Sequence, residues 1–332
     1  MHFDLSRYTM RVTALLAALA LALAACGDGD GVTGDGDGDG AAPDNLISEN
    51  YDLSDVNIRF GSKDFTEQLV LGQIAAKALE AAGASVNLTE NLASPDGPRN
   101  ALLAGEIDAA WEYTGTAWIN YLGNEEPIED PIEQWEAVKQ QDLEENNVFW
   151  TEPAPFDDTY GFAYPRDAVD EFGIETVSEL AEFVQANPDQ ASLCVDPTFA
   201  SREDGLPRVE EVYGFQWPRN QLHQSDFGVI YDSVARQNPC NFAEIFTTDG
   251  RIGALDLLVL EDDKNAFISY LSAVMMMEDF ANEHPDLAGL FEEIGAPITE
   301  DVMIDLNERV DVGGEFPEDV AEQYLREQGF IR

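Results

Sequence analysis

The chain has 332 residues, 44% of them hydrophobic, and sets 66 Asp and Glu against 17 Lys and Arg for a formal net charge of −49. That balance excludes a nucleic-acid partner, whose phosphates it would repel, and excludes docking through an anionic lipid surface. The length suits two domains of ordinary size.

Arg7 and Arg11 precede an apolar run, Val12 to Ala25, that is too short for a membrane span and has the form of a secretory h-region. Leu23-Ala24-Ala25-Cys26 closes it. Small residues directly before a cysteine resemble a bacterial lipobox, in which residues 1–25 are a removable signal peptide and Cys26 is lipidated. The alternatives are an ordinary signal with an incidental cysteine, and a true start at Met10. Residues 26–53 are expected to form a Gly/Asp-rich flexible tether, because Gly27 to Asp44 holds no large apolar residue except Val32. Within it, Gly29-x-Gly31-x-x-Gly34 matches a dinucleotide fingerprint, but neither the strand nor the helix that motif needs flanks it. Asp35-x-Asp37-x-Asp39-Gly40 opens like an EF-hand loop, yet Leu46 stands where the bidentate glutamate belongs.

From Asn57 the pattern alternates strands and helices. Val56 to Phe60 reads as a strand. Asp64-Phe65-Thr66-Glu67 has capping-box spacing and opens a helix that Gly83 ends. Ser85 to Leu92 reads as a strand, Asp96 to Ala104 as a helix, and Ile107 to Trp111 as a strand. Such a βαβαβ order implies a parallel sheet with sites at the strands' carboxyl ends, where Tyr113 sits. A helix follows around Ile132 to Asn146. A second α/β unit starts near Thr159, with a helix at Ser178 to Asn187 and strands at Ser192 to Val195 and Ala243 to Phe246. Leu255 to Leu260 is expected to return to the first unit. The run Met275 to Met277 fits packing on a helix better than a cofactor box. Glu261-Asp262-Asp263 reads as a solvated turn rather than a metal site. Helices through Phe280, Leu290 and Tyr324 complete the first unit.

Two motifs carry the chemistry. Gly61-Ser62-Lys63-Asp64-Phe65-Thr66-Glu67-Gln68 places a lysine beside a helix N-terminus, and Glu112-Tyr113-Thr114-Gly115-Thr116 ends a strand in a tyrosine and two hydroxyls. With the order of motifs after them, these resemble the substrate-binding proteins of ABC importers for glycine betaine, choline, carnitine and related quaternary ammonium osmolytes. The resemblance spans Asn57 to Arg332. It implies a two-lobed α/β fold of the periplasmic-binding-protein type (type II-like), with a ligand cleft between lobe I (54–155 and 256–332) and lobe II (156–255). It implies an aromatic box for the ammonium built from Tyr113, Tyr160, Phe246 and Tyr270, and a carboxylate clamp of Lys63, Thr116 and Arg202. Asp158 is expected to add a backbone carbonyl or its charge near the ammonium. Lys63, Tyr113, Thr116 and Tyr270 are assigned to lobe I, and Tyr160, Arg202 and Phe246 to lobe II. Tyrosine is usual in the family where Phe246 stands, and the segment after Tyr270 lacks the proline and arginine expected there.

The implied partners are a quaternary ammonium solute, an ABC permease with its cytoplasmic ATPase, and the membrane through the lipid anchor alone, on the outer face of the bacterial cytoplasmic membrane. The resemblance implies no cofactor, no metal and no enzymatic activity. His2, His223 and His284 are scattered, and no Gly-x-Ser-x-Gly or Walker A sequence occurs. The rivals are a choline or carnitine receptor, a secreted acidic hydrolase, and a surface protein with no small ligand. Cys194 and Cys240, placed in an oxidising compartment, are expected to form one disulfide, with two independent thiols as the alternative. Removing residues 1–25, which carry Arg7 and Arg11 against Asp4, moves the formal charge from −49 to −50. Such a charge opposes compaction at low ionic strength and is screened within about 3 Å at 1 M salt. The melting midpoint should therefore rise from dilute buffer to molar sodium chloride; a flat or falling midpoint would contradict the argument.

Overall fold

The computed structural model describes residues 46–124, 128 and 130–332. The expected signal peptide, Cys26 and the tether up to residue 45 lie outside them. The tether's expected end does not hold as drawn. Leu46, Ile47 and Leu53 are buried, Ile47–Asn50 is helical, and the Ile47 amide donates to the Phe330 carbonyl at 3.0 Å. Three apolar side chains in eight residues suffice to dock this stretch on the first core.

That core surrounds a five-stranded sheet of order β2-β1-β3-β10-β4. β1 (Asn57–Lys63) runs parallel to β2 (Ser85–Leu92) and β3 (Ala109–Tyr113). The helix Thr66–Ala81 covers it, burying Val70, Leu71, Ile74, Ala75, Ala78 and Leu79 at spacings of three and four. It stops where Gly83 takes a φ of +94°, which costs a residue without Cβ little. Asp64 does not cap this helix. Phe65 holds the cap position, and the Asp64 carboxylate accepts instead from the Ser94 amide (3.3 Å) and hydroxyl (2.7 Å), two donors that the returning chain brings beside it. The helix Gly97–Leu103 joins β2 to β3, and β3 starts two residues later than the pattern suggested, ending in Tyr113. The helix Pro131–Asn146 leads into β4 (Val148–Trp150). Helices Asp286–Gly295, Glu300–Asp311 and Pro317–Glu327 bring Phe291, Met303 and Tyr324 against Phe60 and Trp111.

A second sheet has the order β7-β6-β8-β5-β9. β6 (Leu193–Val195) is parallel to β7 (Leu222–Gln224) and β8 (Phe242–Phe246), while β5 (Tyr160–Pro165) is antiparallel to β8 and β9 (Leu257–Val259). The expected return at Leu255 to Leu260 is thus too early. β9 pairs Leu257, Leu258 and Val259 with Pro165, Tyr164 and Ala163, and Leu260 and Ala266 belong to the second core. The chain re-enters the first sheet only as β10 (Ser272–Met277), antiparallel to β3 and β4. The methionines therefore form a central strand, not a helix. Met275 faces one core cluster and Met276 another, so a continuous apolar run suits a strand covered on both faces.

The two crossings lie side by side. Asp157 and Leu271 form an antiparallel bridge, and the Thr159 hydroxyl donates to the Ile268 carbonyl at 2.7 Å. In lobe II, Cys194 of β6 and Cys240 are joined as a disulfide with Cα atoms 5.5 Å apart and both side chains buried. Closing a loop of 46 residues, this bond should contribute about 2–4 kcal/mol. Intact mass of exported protein alkylated without reductant should show no free Cys194 or Cys240, and Cys194→Ala/Cys240→Ala should lower the denaturation midpoint. Two alkylated thiols in folded protein would contradict it.

Candidate ligand site

Between the lobes lies a cavity of about 650 Å³ whose lining includes Lys63, Tyr113, Thr116, Asp158, Tyr160, Arg202, Phe246 and Tyr270. All eight positions singled out from sequence meet there. Tyr113 and Thr116 flank the turn after β3, and Gly115 between them is required: a Cβ there would stand 2.7 Å from the Ser269 carbonyl and 2.8 Å from the Tyr270 ring. Tyr160 opens β5 and Phe246 closes β8, facing each other across the pair with ring centroids 5.1 Å apart. Tyr270 meets Tyr160 edge-on at 5.4 Å. It sits on the return crossing rather than in lobe I proper, because its amide is held by the Asp157 carboxylate at 2.6 Å.

Two rings of the site were not anticipated. Phe65 stacks between Tyr113 (6.1 Å) and Phe246 (6.0 Å), and Phe227 lies flat on Phe246 at 4.1 Å. Phe65 stands two residues from Lys63 in the same motif, which is the signal that could have revealed it. Phe227 has no comparable marker.

The two cations are not bare. Lys63 is buried in an ion pair with Glu112, which also accepts from the Tyr113 amide and the Tyr121 hydroxyl, both at 2.8 Å. Its ammonium stands 4.9 Å from the centre of the Tyr113 ring. Arg202 grips Asp204 through Nε and Nη2, and Nη2 also reaches the Tyr270 hydroxyl at 2.6 Å. A buried charge left alone is costly, so each cation has an internal carboxylate. Among the described residues these bonds use Nε and Nη2 of Arg202, and Nη1 has no acceptor.

The floor of the cleft is acidic. Glu67, in the first turn of the helix Thr66–Ala81, accepts from the Tyr113 hydroxyl (2.8 Å), the Thr248 hydroxyl (2.7 Å) and the Asn307 amide (3.2 Å). Thr248 also lies 2.8 Å from Asp158 Oδ1. Burial pushes the Glu67 carboxyl up to about 7 against the pull of these donors. Burial, then the neighbouring Glu67, raises Asp158 well above the usual carboxylate range. Thr248 belongs to the loop after β8 and Arg251 opens the short helix Arg251–Ala254 that follows it, and this stretch touches the helix Glu300–Asp311 of lobe I. Asn307 donates to the Thr248 carbonyl at 3.0 Å, Arg251 holds Asp249 and stands 4.0 Å from Asp311, and a Cβ on Gly250 would collide with the Glu308 backbone. Among the described residues no group of three or more His, Cys, Asp and Glu side chains is placed to hold a metal ion.

The model of the substrate-binding domain of ABC-type glycine betaine transport systems matches residues 56–327. The chain belongs to this family. A glycine-betaine-binding protein of Pseudomonas aeruginosa is 36% identical over 82% of this chain and 88% of its own length. An ergothioneine transport permease/ergothioneine binding protein of Helicobacter pylori is 31% identical over 81% of this chain and 47% of its own length. Among solved structures, a glycine betaine/carnitine/choline ABC transporter chain superposes with a TM-score of 0.70 at 26% identity, covering 81% of this chain and 97% of that one. In this member of the glycine betaine family, the lobes meet through the Gly250 contact as well as around the cavity. Gly250→Ala should therefore disfavour the closed arrangement by about 1–3 kcal/mol, the cost of overpacking. Calorimetry should show weaker ligand binding, and small-angle scattering a larger radius with ligand present. Unchanged affinity would show that this contact has no part in closure.

Proposed function

We propose that this chain is an extracytoplasmic receptor that encloses glycine betaine, or a closely related quaternary ammonium solute, and passes it to an ABC permease driven by a cytoplasmic ATPase. One observation carries the reading: the four rings Tyr113, Tyr160, Phe246 and Tyr270 share a single cavity with Arg202, Lys63 and Thr116. A trimethylammonium group neither donates nor accepts a conventional hydrogen bond. It is recognised by π-faces, each contributing about 0.5–2 kcal/mol according to desolvation. Phe246 serves as well as tyrosine for that purpose, and Phe65 adds a further face. The ligand's carboxylate is assigned to Arg202 Nη1, the Thr116 hydroxyl and Lys63. Arginine suits this task because its remaining donors stay fixed while Asp204 holds the other edge.

The counterions change the expected selectivity. With Glu112 and Asp204 neutralising Lys63 and Arg202, choline does not confront two naked cations, so betaine's advantage rests on gained hydrogen bonds rather than relieved repulsion. Lobe closure about the crossings at residues 157–159 and 268–271 presents the closed shape to the permease. Anchoring through a lipid on Cys26, by way of the Gly/Asp tether, keeps the receptor at the membrane's outer face.

Calorimetry with glycine betaine, proline betaine, choline, carnitine and ergothioneine tests the reading. Arg202→Ala should weaken glycine betaine by about 1.5–3 kcal/mol, a charged hydrogen bond's worth. Choline should lose less, or gain, as Asp204 is left without its cation. Tyr113→Ala should weaken both. Equal losses of both ligands in Arg202→Ala, with circular dichroism unchanged, would refute the carboxylate assignment.

A further inference from the structure

The Thr248 hydroxyl stands 2.7 Å from Glu67 Oε2 and 2.8 Å from Asp158 Oδ1, and both acidic residues are buried in the floor of the ligand cavity. A hydroxyl carries one hydrogen and can donate to only one of them. The other oxygen can approach that closely only by donating, which requires a carboxyl proton. The geometry thus demands one proton shared by the pair. Its place follows from the neighbours. Glu67 accepts three bonds, from Tyr113, Thr248 and Asn307, and lies at the N-terminal end of a 16-residue helix, whose dipole favours a negative charge. Among the described residues, Asp158 Oδ1 has only the Thr248 hydroxyl. The proton therefore resides on Asp158, which donates to Thr248 Oγ1, while Thr248 donates to the Glu67 carboxylate.

We propose that Glu67 and Asp158 act as a proton-sharing counter-charge to the ligand's cationic head, giving up a proton to solvent as the head enters the aromatic box. This deepens the quaternary-ammonium reading above and rests on it. Glu67 is tied to the box directly, since the Tyr113 hydroxyl that it accepts belongs to one of its walls. In the unliganded cleft a second negative charge is unsupported. Asp157 on the crossing, Asp249 on the Thr248 loop and Glu300 on the helix Glu300–Asp311 all face the pair with like charge. The nearby cations are spoken for, Lys63 by Glu112 and Arg251 by Asp249. A ligand ammonium supplies the missing positive charge. On binding, the carboxyl O–H of the pair breaks, the proton passes to buffer, and the pair gains one negative charge against the ligand's positive one. Burial and the neighbouring Glu67 raise the Asp158 carboxyl well above the usual carboxylate range, so the unliganded pair keeps this proton until a cation arrives.

The sign is fixed by linkage. The cation favours the ionised pair and lowers its pKa, so affinity should rise with pH, by up to about tenfold per unit where one whole proton is released, and level off once the free pair is ionised. The test is calorimetry of the full-length protein with glycine betaine and with choline, at pH 7, in phosphate and in Tris, whose ionisation enthalpies differ. The apparent binding enthalpy should differ between buffers in proportion to the protons released. Asp158→Asn, whose amide can donate to Thr248 as the acid does but cannot ionise, should bind with the buffer dependence diminished and a flatter pH profile. Saturable binding by the parent with a buffer-independent enthalpy would overturn this inference alone, as would parental proton release in Asp158→Asn. No binding of either ligand would overturn the quaternary-ammonium reading and this inference with it.

Discussion

One hydroxyl between two buried carboxyl groups organises the cleft. Thr248 reaches the site from the loop after β8, Glu67 from the first turn of the helix that covers β1, and Asp158 from the first crossing between lobes. Asn307 joins from the helix Glu300–Asp311 and holds both Glu67 and the Thr248 carbonyl. Four segments far apart in the chain are therefore positioned by one polar cluster. Because an unsatisfied polar group in such a place is expensive, each partner constrains the others. The orientation of Tyr113 follows, since its hydroxyl has to reach Glu67 while its ring faces the cavity. Remove the cluster, and neither the first wall of the box nor the seat of the lobe II loop has a fixed position.

Cations are scarce in this chain, 17 against 66 acidic residues, and three of them are spent in the interior. Lys63 pairs with Glu112, Arg202 with Asp204, and Arg99 with Asp142, which the Trp150 indole also contacts at 2.8 Å. Buried pairs add little net stability over apolar packing, but breaking one leaves an uncompensated charge. Their value here is geometric. Asp204 fixes the guanidinium edge of Arg202 so that the opposite edge faces the cleft, and Glu112 keeps the Lys63 ammonium over the Tyr113 ring.

Most of lobe I was legible because its elements obey their periods: the helix after Lys63 shows spacings of three and four, and Gly83 marks its end. The eight positions that line the cavity were picked out through ordered local motifs rather than periodicity. Other features depended on pairing that no local pattern encodes. Leu257–Val259 has an apolar pattern that fits either sheet, and only the register with Ala163 to Pro165 places it in lobe II. The methionine run carries no period because both of its faces are covered. Glu112 and Asp204 were hidden by abundance, since a chain this rich in carboxylates gives no means of singling out the few that are buried. Phe65 lay inside the motif quoted for Lys63, overshadowed by the lysine, and Thr248 stands two residues beyond Phe246 with no signal of its own.

The placement of Tyr270 ties the hinge to the site. Its backbone amide is fastened to Asp157 on the opposite crossing, its ring occupies the space left by Gly115 in lobe I, and its hydroxyl bonds Arg202 and Asp204 in lobe II at 2.6 and 2.7 Å. A rotation of lobe II about the crossings cannot preserve all three. Either the hydroxyl lets go of the Arg202–Asp204 pair or the ring leaves Gly115, and both events alter the box. Phe246 and Phe227, by contrast, are stacked on each other within lobe II and travel together. The four rings thus differ in kind: Tyr113 is fixed to lobe I, Phe246 and Tyr160 are paired strand ends of lobe II, and Tyr270 is held by the crossing and both lobes. On the proposed quaternary-ammonium reading, a ligand that satisfied all four rings at once would select a single interlobe angle, so that a site built from weak π contacts would hold the lobes at one closure.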